Sequence, residues 1–185
     1  MSKRTKILLS LLPVLLVFVL IFVFSSFDAT DSSAQSSTIV KFIKKNIFPD
    51  LSKLKNKTDV RIVNDTIAFI IRKGAHMTVY MLLGFFSFAS LWFIKNKKGR
   101  YFSAIAVSAI YAISDEIHQM YVPGRSCEFR DVCIDTCGAA FGAAICLVIV
   151  LLTELRRVRA ELEQYKQGGQ QEQRPQRPER RIMNS

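Results

Sequence analysis

Residues Ile7 to Phe24 form an 18-residue run whose only polar member is Ser10, and at about 1.5 Å per helical residue such a run crosses the roughly 30 Å hydrocarbon layer. A chain carrying it is expected in a membrane. A cleaved secretory signal is the alternative reading, because Lys3, Arg4 and Lys6 make a positive leader and Ser32-Ser33-Ala34 offers small residues for cleavage. The apolar core is longer than the roughly 7 to 15 residues of a signal, and no clear cleavage motif abuts it, so a retained anchor is favoured. Three more apolar stretches follow at approximately Ala75 to Ile94, Tyr101 to Tyr121 and Val132 to Leu152, each near the ~20 residues a crossing requires. The expected fold is therefore all-α: a polytopic membrane helix bundle of about four transmembrane helices, not a soluble globular enzyme.

The chain is 50% apolar yet 22% charged, so the two populations are segregated along it. The net charge of +11 would suggest nucleic acid in a soluble protein, but basic loops also hold a membrane protein in its orientation. No nucleic-acid partner is expected. Lys3, Arg4 and Lys6 precede the first stretch, Lys95, Lys97, Lys98 and Arg100 fill a loop, and Arg156, Arg157 and Arg159 follow the last. This pattern predicts a multi-pass membrane protein with both termini cytoplasmic. The basic segment Phe27 to Gly74, expected outside, fits that orientation least well. Cys127, Cys133, Cys137 and Cys146 contain no C-x-x-C pair and are expected to be free thiols that pack as small residues.

Four regions are expected: an N-terminal anchor over 1–27, an outer linker with amphipathic segments over 28–59, a membrane domain over 60–152, and a basic, partly disordered cytoplasmic tail over 153–185. Ile39, Phe42, Ile43, Ile47, Leu51 and Leu54 recur at roughly helical spacing among lysines. A solvated basic loop is the bland reading of that stretch. Residues Val60 to Ile71 are expected to lead straight into the second apolar stretch. Beyond Lys166, Gln, Pro, Arg and Gly dominate and order is expected to end.

Charged groups at membrane depth cost on the order of 2.5 to 3.5 kcal/mol each, so their presence needs a reason. Arg72, His76 and Tyr80 recur every fourth residue on one helical face, with Lys73 beside them. Asp115, His118 and Gln119 share a face at the end of the third stretch, with Glu116 off it; Val122-Pro123-Gly124-Arg125 then signals a turn. Asp131 and Asp135 follow, four residues apart. The expected topology brings these groups to one level near the outer boundary. The candidate catalytic residues are thus His76, Asp115, Glu116, His118, Asp131 and Asp135, and the candidate ligand-binding residues are Arg72, Lys73, Tyr80, Gln119 and Arg125. No cofactor is implied by a complete motif, but His76, His118 and Asp135 are candidate ligands for a divalent metal, since imidazole with carboxylate suits Zn or Mn. Gly138 and Gly142 form a G-x-x-x-G surface for close helix approach, more readily within the chain than between copies.

The ordered set Arg72-Lys73-Gly74-Ala75-His76, Tyr80, Leu83-Gly84, Ser114-Asp115-Glu116-Ile117-His118-Gln119, Pro123-Gly124-Arg125, Asp131, Asp135, Gly138 and Gly142 resembles the VanZ-like family of bacterial membrane proteins. The resemblance covers about Val60 to Leu152, with Tyr121 standing where Phe is frequent. It implies a role at the cell envelope and an association with low-level resistance to the glycopeptide teicoplanin, without an established reaction.

Three readings of the polar cluster compete. In the first, acids and bases neutralise one another as buried ion pairs that set helix register. In the second, the cluster binds membrane lipids or a lipid-linked envelope ligand, with Arg72, Lys73 and Arg125 gripping phosphate or carboxylate. In the third, it supports hydrolysis or transfer, with the carboxylates and histidines as general acid and base; no H-E-x-x-H or nucleophile-elbow sequence accompanies it. Oligomeric state is left open.

Overall fold

The computed structural model describes residues 2–26, 39–43, 45–46, 56–123, 125 and 127–172. Their secondary structure is helical: α1 spans Lys3–Ser25, α2 Lys57–Ser90, α3 Lys97–Gln119 and α4 Phe129–Glu172. Each of the first three starts at a side-chain cap. Ser2 Oγ accepts from the Thr5 N–H at 3.2 Å, Asn56 Oδ1 from Thr58 at 3.1 Å and Asn96 Oδ1 from Lys98 at 3.1 Å, so one amide otherwise orphaned in each first turn is satisfied. At the other end of α2, the Arg100 guanidinium donates to the carbonyls of Phe88 and Ala89 and stacks 4.2 Å from the Phe88 ring. A cation there offsets the negative end of the helix dipole.

Among the described residues two helices, not about four, are long and apolar enough to cross a membrane, namely Arg4–Ser25 and Phe129–Gln167. Length misleads for the other two: α2 and α3 have 34 and 23 residues, but His76, Thr78, Ser87 and Ser90 dilute one and Ser103, Ser108, Ser114, Asp115 and Glu116 the other. The two qualifying helices differ from the core helices of a soluble protein. Only 17% and 28% of their most apolar windows are buried, which gives the chain membrane-associated character.

The chain divides into two compact units, Met1–Leu147 and Val148–Ser185. In the first, Val14, Val17 and Ile21 of α1 pack with Tyr80 and Leu83 of α2 and Ala112 of α3, so α1 is part of the core and not a separate tether. Polar contacts fix its register as well. Ser10 and Ser90 each donate to the other's backbone carbonyl, and Tyr111 donates to the Phe18 carbonyl at 2.7 Å while its ring stacks 4.1 Å from the Phe18 ring.

Glycine decides how α2 and α4 meet. A Cβ on Gly84 would fall 1.9 Å from the Ala139 carbonyl oxygen, one on Gly138 2.6 Å from that of Met77, and one on Gly142 1.8 Å from that of Met81. Those are backbone atoms and cannot swing aside, so the G-x-x-x-G surface packs within the chain. Tyr101 adds a hydrogen bond from α3 to the Ala140 carbonyl at 3.2 Å.

In the second unit α4 continues as helix to Glu172, beyond Lys166, where composition alone suggested that order ends. Extending an existing helix costs far less than starting one. The four cysteines are free, with Cys146 buried and the others exposed. Of the amphipathic segment expected over 28–59, residues 39–43 and 45–46 are helical, and Ile47, Leu51 and Leu54 lie outside the described residues. So do Gly124 and the end of the chain.

Candidate functional site

The close crossing of α2 and α4 sets the site. His76 stands one residue before Met77, whose carbonyl faces Gly138, and Asp135 lies one helical turn before Gly138, so the same contact that demands glycine carries these two side chains toward each other. Asp115 arrives from the end of α3. One donor atom from each of His76, Asp115 and Asp135 lies within 4.8 Å of the others, with both carboxylates buried and His76 half-buried. Imidazole and two carboxylates are a donor set suited to a divalent cation such as zinc or manganese.

A hydrogen-bonded relay orients Asp115. Arg125 donates to Gln119 Oε1 at 3.2 Å, and Gln119 donates to Asp115 Oδ2 at 3.0 Å. Gln119 is buried and follows Asp115 by one turn, so its amide holds the carboxylate while Arg125 fixes the amide. The Val122 carbonyl accepts from the Arg125 N–H at 3.2 Å, and this turn folds the arginine back over the end of α3. The relay resembles the outer partners that orient metal-binding carboxylates.

The remaining acids have their own partners. Lys73 on α2 pairs with Asp131 on α4 through Oδ2, and Glu116, buried on α3, accepts from the Glu128 N–H at 2.9 Å. Burial raises the Glu116 pKa above its ordinary range, opposed by that backbone hydrogen bond, with Asp131 and Asp115 adding to the rise. Burial likewise holds His76 below the usual imidazole value, opposed by Asp115. The histidine is therefore poised to be the neutral, ligating form. Arg125 is disfavoured as a cation first by burial, and Asp115 opposes this; Arg72 also lies close enough to act on it by charge repulsion.

Two buried polar atoms in this region make no hydrogen bond: the Tyr80 hydroxyl and Asp131 Oδ1. Tyr80 is fully buried, one helical turn from His76, and Asp115 and Asp135 are its foremost charged neighbours. A phenol is ordinarily satisfied when buried. Here it is an uncommitted donor beside two carboxylates and an imidazole.

Sequence reasoning and structure group the residues differently at one point. His118 lies away from this cluster: its ring stacks on Phe22 of α1 at 4.8 Å between centroids, and Nε2 is 3.3 Å from the Ser26 hydroxyl. Asp115 takes the place beside His76 and Asp135. Only the tertiary fold shows this, because His118 and Asp115 are one turn apart and a few tens of degrees of helix rotation choose between them. The i, i+4 spacing of Asp115 and Gln119 was the legible part. The Glu128 amide that holds Glu116, and Ser26 beside His118, carried no sequence signal.

The sequence profile of the family described as VanZ/LLP1 matches residues 10–151, from within α1 through the polar cluster to α4. The chain belongs to the VanZ/LLP1 family. The match begins well before Val60, where the motifs alone suggested the shared region starts, and takes in the α1 residues that pack against α2 and α3. No curated protein and no solved structure matches the chain. The His76, Asp115 and Asp135 cluster is thus a feature of a VanZ/LLP1 protein described from its own geometry.

Proposed function

We propose that this VanZ/LLP1 protein acts at the bacterial cell envelope by engaging the phosphate- or carboxylate-bearing head of a lipid or lipid-linked wall component at the α2–α3–α4 cluster. The observation that carries the reading is the buried, unpartnered Tyr80 hydroxyl beside His76, Asp115 and Asp135. A self-contained ion-pair network would be expected to satisfy that hydroxyl with the carboxylates already next to it. Arg125 and Arg72, close enough to repel each other, supply the positive charge that an anionic head would relieve. The cluster faces outward in this reading, which lets an altered surface ligand change susceptibility to a glycopeptide such as teicoplanin without chemistry on the drug.

The donor set favours a second reading, a membrane-embedded hydrolase or transferase. His76, Asp115 and Asp135 would hold a divalent metal, which when bound polarises a phosphoryl or carbonyl oxygen and lowers the pKa of attached water. The chain's own residues do the positioning: Gln119 and Arg125 fix Asp115, the Lys73–Asp131 pair ties α2 to α4, and Tyr80 presents a proton donor from the core.

Envelope lipid and wall-precursor profiles of cells with and without the protein, taken together with teicoplanin susceptibility, test the proposal. A change in one defined anionic species, reversed by the wild-type chain and not by an Arg125→Ala variant, is expected. Unchanged profiles with a folded, inserted protein would leave the cluster a structural ion-pair network. Metal content of the purified protein separates the two functional readings: stoichiometric metal lost in His76→Ala favours the hydrolase or transferase.

A further inference from the structure

The second unit carries a feature that the polar cluster does not use. Apolar residues of α4 recur at Val148, Leu151, Leu155, Val158, Leu162 and Tyr165, alternately three and four residues apart, the first two within a continuous apolar run with Ile149, Val150 and Leu152. Each is exposed, between 44% and 84%. Past Thr153 the positions between them are charged or polar apart from Ala160, so over Leu155 to Tyr165 the apolar groups narrow to one stripe. A sustained three-four alternation is the seam of a left-handed coiled coil.

The charges carry the assignment further. With Val148, Leu155 and Leu162 at the first core position of each heptad, and Leu151, Val158 and Tyr165 at the second, Glu154 and Glu161 precede the core on one side and Arg159 and Lys166 follow it on the other. In a parallel coiled coil, each residue of the first kind meets the residue five positions later on the neighbouring helix. Glu154 then faces Arg159, and Glu161 faces Lys166, in both directions across the seam. Both pairs are opposite in charge, whereas antiparallel pairing sets Glu against Glu at these flanks.

We propose that Val148–Tyr165 forms a parallel coiled coil with a second copy of this chain. A membrane surface is the rival occupant of an apolar stripe, but helices that lie on anionic lipid are rich in cations, and here Glu154, Glu161 and Glu163 nearly balance Arg156, Arg157, Arg159 and Lys166. The seam is short, about two and a half heptads, and a helix this short pairs only weakly in water. Two chains held in one membrane meet at high local concentration, which compensates for the length.

Disulfide cross-linking of the full chain in native membranes tests the register, with Cys127, Cys133, Cys137 and Cys146 changed to Ala. Val158→Cys, at the seam, is expected to form covalent dimer at least about fivefold faster than Ala160→Cys, on the outer face. Arg159→Glu is expected to lower self-association about fivefold, as two charge pairs turn repulsive. The double variant Glu154→Arg, Arg159→Glu is expected to restore it. Equal cross-linking at the two positions, or a double variant no better than the single, overturns the proposal. Loss of anionic-vesicle binding by Arg159→Glu without change in cross-linking assigns the stripe to the membrane instead.

Discussion

The two histidines of this chain stand on neighbouring helices and live in different chemistry. His76 sits where α2 and α4 press backbone to backbone through Gly84, Gly138 and Gly142, and acids from two other helices surround it. His118 sits where α3 meets α1, against an aromatic ring and a serine. Close backbone approach brings short acidic side chains within ligand distance of one imidazole; the other meets an aromatic ring and a hydroxyl. The glycines at the α2–α4 crossing, which carry no chemistry of their own, thus let His76 meet Asp115 and Asp135.

The largest expected effect comes from altering that crossing. Gly142→Ala drives a Cβ into the Met81 carbonyl and is expected to cost about 3 kcal/mol, the upper range for overpacking, seen as a sharp loss of thermally resistant protein in detergent. Gly74, where an added Cβ would meet nothing within 4 Å, is the contrast: Gly74→Ala is expected to stabilise α2 by about 0.8 to 1 kcal/mol. If both substitutions behaved alike, the close crossing would not be what holds the site.

Next in size is the difference between the histidines themselves. If the cluster holds a divalent metal, His76→Ala and Asp135→Asn are each expected to lower zinc or manganese bound by the purified protein at least about tenfold, since loss of even an outer partner of a ligand costs about that much, while His118→Ala changes it less than about twofold. Mass-spectrometric metal analysis on folded protein reads this directly. Equal losses for the two histidines would erase the distinction drawn between the α2–α4 and α1–α3 contacts.

Arg125→Ala removes the donor that fixes Gln119 and so frees Asp115, and is expected to reduce the proposed envelope effect several-fold, about the 1 kcal/mol scale of a hydrogen bond. Arg157→Ala, in the second unit, is expected to leave it unchanged. The smallest effect belongs to Ser26→Ala, which removes the hydroxyl beside His118 and is expected to cost about 0.5 to 1 kcal/mol in thermal stability with metal content intact.

Much of this was legible in order along the chain. The Asp115–Gln119 spacing places one turn of helix between a carboxylate and its amide. The number of helices fit to span a membrane was not: runs near twenty residues suggested about four, whereas the polar groups inside α2 and α3 leave two long and apolar enough among the described residues. Both signals are present in the same residues, and length spoke louder than the mean polarity of the helix. The partner of Lys73, Asp131 fifty-eight residues later, is set by how α4 returns against α2, which no local pattern encodes.

By itself the sequence determined the all-α class, the apolar N-terminal helix, the family and the inventory of ionisable groups, because periodicity, length and side-chain type are local properties. Only the tertiary structure chose His76, Asp115 and Asp135 as the set that meets, and turned His118 away. Which side chains converge depends on helix rotation and separation, and these follow from glycine-to-backbone contacts between residues far apart in the chain.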